Sequence, residues 1–250
     1  MIGLCSVTFR DKQPEDIIQI AKDAGVEAIE WGGNNHVPPT ELETAKRVAQ
    51  LTKDAGLVTS SYGTYYKVGT NESFDSILAV AEALDTKIIR VWAGDKGSEE
   101  ADEAWFNEVV ADAERIAKLA HEKSMSISFE YHSDTLTDTP ESARQLMEAI
   151  EAPNVFLYWQ PAETLTVEER KSSLSLLGEW ITNVHVFHWE NFNNRFSLEE
   201  GAEDWEDYIS RILTHSPYTH HYLLEFVKED DPGQLKQDAE TLRKIVEKFG

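Results

Sequence analysis

The amino-acid sequence predicts an α/β fold, a single (β/α)8 barrel domain over residues 1–250. Short apolar runs rich in β-branched residues alternate with amphipathic helical periods from one end of the chain to the other. Eight such runs occur, and about 250 residues is a typical length for one barrel of this kind. An open doubly wound sheet is the alternative, but it usually has a glycine-rich phosphate loop after its first strand, and Ser6–Arg10 contains no glycine.

Strand and helix repeat in the same order along the chain. The predicted strands are Gly3–Thr8, Ala28–Trp31, Val58–Tyr62, Ile88–Trp92, Ser126–Tyr131, Val155–Trp159, Asn183–Phe187 and Tyr222–Phe226. The predicted helices are Pro14–Ala24, Thr40–Ala55, Ser73–Leu84, Asp102–Lys123, Pro140–Ile150, Thr166–Trp180, Trp205–Leu213 and Pro232–Lys248. The sequence Asp-Ala-Gly closes the first two helices at Gly25 and Gly56, where glycine can adopt the left-handed conformation of a helix C-cap.

The composition narrows the classes of partner. A net charge of −23 opposes binding to nucleic acid or to an anionic membrane surface. No segment approaches the roughly 20 apolar residues that span a bilayer, and the N-terminus lacks a secretory signal, so we expect a cytoplasmic protein. Cys5 is the single cysteine and is expected to be a small buried hydrophobic residue.

Side chains that can bind a metal or move a proton stand where the last four predicted strands end. They are Glu130, Gln160, His185 and Glu225. Because the carboxyl ends of barrel strands converge on one face, these residues should meet in an oxygen-rich metal and acid–base centre. A buried glutamate is otherwise rare unless it is paired, so the structural alternative is a glutamate held by Arg90 or by a backbone amide.

The same face of the barrel should also carry the residues that contact a substrate. Aromatic rings there would exclude water and pack against the C–H faces of a sugar, although each tryptophan could instead be ordinary core. Strand alternation favours His185 as the metal ligand and His188 as a substrate contact. The expected substrate-binding residues are His36, Tyr62, Arg90, Trp92, His132, Trp159 and His188.

Five segments of the chain together resemble the sugar phosphate isomerase/epimerase family, the xylose isomerase-like TIM barrels. Each segment alone is a weak signal, but their order and spacing are fairly specific. They are GVEAIEWGGNNHVP at residues 25–38, IRVWAG at 89–94, FEYHSDTLTDT at 129–139, NVHVF at 183–187 and RFSLEEGAEDW at 195–205.

The resemblance implies a divalent metal ion, such as manganese, magnesium, cobalt or zinc. In the family pattern a glutamate, an aspartate, a histidine and a glutamate follow the fifth to the eighth strands. Glu130, His185 and Glu225 match this pattern, whereas Gln160 stands where the aspartate is expected. An amide oxygen can coordinate a hard cation but carries no charge, so weaker binding or a preference for an imidazole-tolerant ion is expected. Loss of the metal dependence is the alternative.

The resemblance further implies a sugar or sugar-phosphate isomerase or epimerase that acts through an enediolate. Glu130 and Glu225 are the expected catalytic residues, one removing the proton and the other returning it. Two alternatives stay open: a sugar-binding barrel that has lost its metal chemistry, and a lyase or dehydratase on the same scaffold. The expected partner is a small-molecule carbohydrate, and a homodimer could form through helices around Trp180 and Trp205.

Overall fold

Eight parallel strands close into a barrel in the computed structural model, which describes residues 1–250. The barrel strands are β1 (Ile2–Cys5), β2 (Ala28–Gly32), β3 (Val58–Lys67), β4 (Ile88–Trp92), β5 (Ser126–Glu130), β6 (Val155–Trp159), β7 (Ile181–Val186) and β10 (His221–Leu224). Around the barrel their order is β1-β10-β7-β6-β5-β4-β3-β2. The prediction of a (β/α)8 barrel is therefore confirmed.

Eight helices form the outer layer of the barrel. They are α1 (Pro14–Ala24), α2 (Leu42–Asp54), α3 (Asp75–Ala83), α4 (Glu103–Glu122), α5 (Pro140–Ala149), α6 (Val167–Leu177), α7 (Ala202–His215) and α8 (Pro232–Val246). The apolar face of each helix packs on the strands, and 60 buried hydrophobic residues form one continuous core. No helix is both long enough and apolar enough to cross a bilayer.

The barrel closes where β1 lies between β2 and β10. Gly3 is opposite Ala28 on one side and Leu223 on the other. A Cβ atom on Gly3 would lie 2.7 Å from Leu223 Cδ2 and 2.8 Å from the Ala28 carbonyl oxygen. Only glycine therefore allows this close approach of three strands without displacing a neighbour.

Several element boundaries differ from those predicted. β1 ends at Cys5, and a 3-10 turn (Ser6–Phe9) replaces the end of the predicted strand. This turn is fixed from outside, because Ser6 Oγ accepts a hydrogen bond from the Gly32 amide at 2.9 Å. α6 ends at Leu177 and a second 3-10 turn continues to Trp180.

The expected glycine C-caps are confirmed in geometry, since Gly25 and Gly56 have φ angles of 69° and 78°. A small hairpin made by β8 (Trp189–Asn191) and β9 (Asn194–Arg195) in the loop after β7 was not predicted. Its strands are too short to show the alternation that identifies a strand in sequence.

Candidate functional site

The carboxyl ends of the barrel strands surround a cavity of about 710 Å³. Glu130, Gln160 and Glu225 line it, as expected from their positions at the ends of β5, β6 and β10. His185 lies beneath them and is fully buried. The structure therefore brings together the four residues that the sequence predicted as metal ligands.

The imidazole of His185 is the centre of this group. Its Nδ1 atom lies 3.1 Å from Gln160 Oε1 and 3.5 Å from one carboxylate oxygen each of Glu130 and Glu225. The donor atoms of Glu130, His185 and Glu225 all lie within 4.8 Å of one another. One ion placed between these side chains could contact all of them.

Gln160 has a role that a carboxylate could not fill. Its side-chain nitrogen Nε2 donates a hydrogen bond to the Tyr131 carbonyl oxygen at 2.7 Å. That bond orients the amide so that Oε1 faces His185. An aspartate or glutamate here would set a negative oxygen against a carbonyl oxygen, so the amide matches its surroundings.

Glu30, in the middle of β2, belongs to the site although sequence reasoning did not select it. Its carboxylate is fully buried, accepts a hydrogen bond from Ser61 Oγ at 2.7 Å and lies 3.4 Å from His185 Nε2. The available signal was the apolar run of residues 28–31, which carries a glutamate just as the end of β5 does. Each ring nitrogen of His185 thus faces at least one carboxylate.

Arg90 holds two of the three buried glutamates. Its Nε atom lies 3.1 Å from Glu30 Oε1, and its NH1 group pairs with Glu130. Trp92 Nε1 donates a second hydrogen bond to Glu130 at 2.7 Å. Arg90 was expected to contact the substrate, and although it lines the cavity, its guanidinium is engaged by the two carboxylates.

The buried charges divide the glutamates into two kinds. Burial alone would raise the pKa of Glu130, but the Arg90 guanidinium and His185 bring that pKa down to about 2. Arg90 likewise lowers the pKa of Glu30 well below its usual range despite complete burial. Burial, against the opposing effect of His185, raises the pKa of Glu225. Glu225 is therefore the weakest acid of the three.

These residues suit a divalent cation. Three buried glutamates face one arginine, which leaves an excess of negative charge at the floor of the cavity. Carboxylate and amide oxygens with one imidazole are donors that magnesium, manganese, cobalt and zinc accept. Glu130, Gln160, His185 and Glu225 could hold such an ion.

Cys5 is buried, as expected, but it does not behave as a plain hydrophobic residue. Its Sγ atom lies 3.3 Å from Glu30 Oε1 and 3.6 Å from Glu225 Oε1. Burial, followed by the charges of these two glutamates, raises the pKa of the Cys5 thiol well above its ordinary value. The thiol therefore stays protonated and can donate to the carboxylates.

The structure places three of the seven expected substrate contacts at the cavity. Trp92 and His132 line it together with Arg90, and their rings stack at 4.7 Å between centroids. The Tyr65 ring lies 5.6 Å from Trp92 and adds to the same wall. Tyr65 had not been selected, because the predicted third strand ended before it.

The other four expected contacts lie away from the cavity, which corrects the prediction. Strand alternation turns Trp159 outward, where its Nε1 donates to Ser173 Oγ of α6. Tyr62 donates to the Val37 carbonyl oxygen, and His36 is bound to Ser6. His188 packs against Phe196, outside the cavity lining.

Aromatic residues close the cavity on the side of the β8–β9 hairpin. Trp189 of the hairpin stacks on Phe226, with ring centroids 5.8 Å apart and planes at 19°. Phe192 at the hairpin tip meets Phe226 edge to face at 5.2 Å. Two guanidinium groups, of Arg10 and Arg195, each lie 5.2 Å from the Phe226 ring. Of these residues, Arg10, Phe192 and Phe226 were not predicted as part of the site.

Comparison with known proteins assigns the chain to a family. Residues 18–245 match the family described as xylose isomerase-like TIM barrel. The chain belongs to this family. This match confirms the resemblance seen in the five sequence segments. The closed eight-stranded barrel agrees with the family's description as a TIM barrel.

Relatives of this xylose isomerase-like barrel include enzymes of two kinds. The chain is 29% identical over 200 residues to a 3-dehydroshikimate dehydratase of Bacillus anthracis, over 73% of this chain and 70% of that protein. The crystal structure of a probable 3-DHS dehydratase from B. anthracis has a TM-score of 0.79 at 23% identity and covers 97% of this chain and 98% of that one. The structure of an L-ribulose 3-epimerase has a TM-score of 0.75 at 15% identity, with coverages of 99% and 96%.

These similarities support the fold more strongly than the expected isomerase activity. Among the structures, identities of 23% and 15% establish the fold alone. The lyase alternative is as well supported as the isomerase, because one relative is a dehydratase. The homodimer stays a prediction. Of the two tryptophans expected near its interface, Trp205 is buried and donates to the Phe187 carbonyl oxygen, so it cannot contact a second copy.

Proposed function

We propose that this xylose isomerase-like barrel is a metal-dependent lyase that removes water from a small cyclic hydroxy-ketone such as 3-dehydroshikimate. The observation that carries the proposal is the meeting of Glu130 and Glu225, each 3.5 Å from His185, at the floor of a cavity walled by aromatic rings. The identity to a 3-dehydroshikimate dehydratase supports the choice of substrate.

The substrate chemistry requires what the cavity floor offers. The carbon next to the ketone carries one hydrogen and one hydroxyl, and the following carbon carries the hydroxyl that leaves. Removal of the hydrogen as a proton gives an enediolate, whose electron pair then expels the second hydroxyl. That hydroxyl takes up a proton and departs as water, and a proton shift in the ring leaves an aromatic dihydroxybenzoate.

The contacts of the two glutamates indicate how they divide these proton transfers. Glu130 is committed to Arg90 and Trp92, so its carboxylate is fixed in place. Glu225 has no arginine partner. Cys5 Sγ lies 3.6 Å from it and His185 Nδ1 lies 3.5 Å from it, so its carboxylate is the freer of the two to accept the first proton. We assign removal of the first proton to Glu225, which then passes that proton to the departing hydroxyl. Glu130, which Arg90 keeps ionised, is assigned to accept the ring proton in the final shift.

A divalent cation bound by Glu130, Gln160, His185 and Glu225 would supply Lewis-acid stabilisation of the enediolate oxygens. The protein side chains supply the rest. Arg90 keeps Glu130 ionised, and Trp92, His132 and Tyr65 exclude water from one side of the substrate. Exclusion of water lengthens the life of the enediolate, because solvent cannot return the proton to it.

The test is turnover of 3-dehydroshikimate by the protein incubated with magnesium, manganese, cobalt or zinc, followed by the absorbance of the aromatic product. Glu225→Gln should lower kcat at least about 10³-fold, because an amide cannot accept the proton. Glu148→Gln, an exposed change on α5, is the matched control and should leave kcat unchanged. Normal turnover by Glu225→Gln would overturn the assignment of the base.

A sugar epimerase or isomerase is the second candidate, because removal of a proton next to a carbonyl is its first step too. The similarity in fold to an L-ribulose 3-epimerase favours keeping it. In deuterated water an epimerase would introduce deuterium into a recovered ketose such as ribulose, without loss of water. A barrel that only binds sugars would show neither exchange nor product.

A further inference from the structure

The wall of the cavity is divided by charge. Arg10 follows β1, and Phe226 follows β10, which is a neighbour of β1 in the barrel. The aromatic residues Trp189 and Phe192 follow β7, the next strand after β10. The opposite wall is built by the loops after β4, β5 and β6. Its acidic residues are Glu99, Glu100, Asp134, Asp138 and Glu163.

Arg10 differs from the other arginines near the cavity. Arg10 and Arg90 are the only arginine or lysine side chains in the lining, and Arg90 is already paired with Glu30 and Glu130. Arg195 pairs with Asp230 at 2.6 Å. Arg10 has no carboxylate within 4.0 Å, so it is the one guanidinium on the wall that is free to bind an anion.

Aromatic rings hold the Arg10 guanidinium without using its hydrogen-bond donors. Its carbon Cζ lies 5.2 Å from the Phe226 ring centroid and 6.0 Å from that of Phe192. A ring face attracts the cation, whereas the N–H groups at its edge stay available. A planar group with paired N–H donors is matched to a carboxylate.

We propose that Arg10 binds the carboxylate of the substrate, and that the acidic wall rejects the reversed orientation. This inference rests on the proposed function, in which the carbonyl end of a ring carboxylic acid lies on the cavity floor. In that orientation the carboxylate meets Arg10 on the β1 side. Turned over, it would face the acidic residues of the opposite wall, and the like charges would repel it.

The inference predicts an effect that depends on the charge of the ligand. The probes are 3,4-dihydroxybenzoate, which is the dehydration product, and 3,4-dihydroxybenzamide, which has the same shape without the charge. Binding of each to the metal-loaded protein is measured by titration calorimetry. Arg10→Gln should weaken benzoate binding about 10- to 100-fold, the range for a charge-assisted hydrogen bond, and leave benzamide binding within about twofold.

Arg144→Gln removes the same charge from the exposed face of α5 and is the matched control. It should bind both probes as the wild type does, which excludes an effect of net charge. Equal weakening of both probes by Arg10→Gln would overturn the inference, because Arg10 would then only support the aromatic wall. Unchanged benzoate binding would overturn it as well.

Steady-state kinetics separate this inference from the proposed function. Arg10→Gln should raise KM for 3-dehydroshikimate about 10-fold or more, with kcat changed much less, because Arg10 is assigned to the carboxylate and takes no part in the proton transfers. Charge-dependent binding of the benzoate without turnover by the wild type would support the Arg10 site and overturn the dehydratase. Turnover by the wild type, with the same KM in Arg10→Gln, would support the dehydratase and overturn the Arg10 site.

Discussion

At the scale of single residues, His185 is held from both sides. Gln160 and two glutamates face Nδ1, whereas Glu30 faces Nε2 at 3.4 Å. If Nδ1 binds a metal, Nε2 must carry the proton, and Glu30 is the carboxylate that faces it. A carboxylate behind a metal-binding histidine fixes its tautomer and its orientation. Glu30 is therefore a positioning residue.

Glu30→Gln should weaken manganese binding about 10- to 100-fold, because a neutral amide polarises the imidazole less than a carboxylate does. Titration calorimetry on metal-stripped protein gives the affinity directly and does not depend on activity. Glu148→Gln, on the surface of α5, should retain the wild-type affinity. An unchanged affinity in Glu30→Gln would show that Glu30 only neutralises Arg90.

The candidate ligands were predictable because each stands at the end of a clear apolar strand. Glu30 stands in the middle of β2, and its role depends on Arg90, two strands away, and on the ring of His185 across the barrel. Arg90 and His185 become neighbours of Glu30 only when the barrel closes, and a local sequence pattern does not predict such contacts. Trp159 and Tyr62 were predicted as substrate contacts but are not, because side chains on a strand also point outward, towards helices and loops.

At the scale of elements, a buried histidine joins the loop before β10 to β7. His220 Nε2 lies 3.1 Å from the Ile181 carbonyl oxygen and 2.9 Å from Ser216 Oγ, next to the end of α7. Its Nδ1 atom has no partner. Burial lowers the pKa of His220 to about 4, despite the contact with Ile181. The folded protein therefore holds this ring neutral.

The stability of the fold should fall as the pH drops from about 6.5 to about 4. The unfolded chain binds a proton on this histidine below about pH 6.5, whereas the folded chain does so only near pH 4. The contribution of His220 to the free energy of unfolding is thus fully present above pH 6.5, and about 1–3 kcal/mol is lost by pH 4. His220→Gln should show a smaller fall in Tm over this range.

Exposed His121 on α4 provides the comparison, and His121→Gln should keep the full pH dependence of the wild type. Identical slopes of Tm against pH for all three proteins would refute the role of His220. The comparison of slopes removes any constant loss of stability that the substitutions themselves cause.

The hairpin of β8 and β9 marks the limit of prediction for elements. The helices and barrel strands were found because their apolar periods extend over many residues. The hairpin has strands of three and two residues and is held by ring contacts with Phe226, more than 30 positions later in the chain. Contacts of that range leave no periodic signal.

At the scale of the whole molecule, the net charge of −23 acts on the entire fold. Like charges on a compact surface repel one another, and added salt screens the repulsion. With the metal removed by a chelator, raising NaCl from low to moderate concentration should raise Tm. A gain of about 1 kcal/mol corresponds to roughly 2–4 °C for a chain of this size.

Differential scanning calorimetry measures this shift, and KCl should reproduce it because screening depends on ionic strength alone. A Tm that stays constant or falls with salt would show that surface ion pairs, such as Lys171 with Asp207, outweigh the general repulsion. Net charge is readable from sequence, but the balance between repulsion and pairing requires the folded surface.

The buried position of Cys5 gives the barrel a built-in reporter of its own opening. Alkylating reagents attack only an accessible thiolate, and this thiol is both protonated and 1% exposed. Cys5 lies on β1, the strand between β2 and β10, so reagent can reach it when that seam separates. The rate of labelling under native conditions therefore counts openings of the seam, and any ligand that binds the closed barrel alone will slow it.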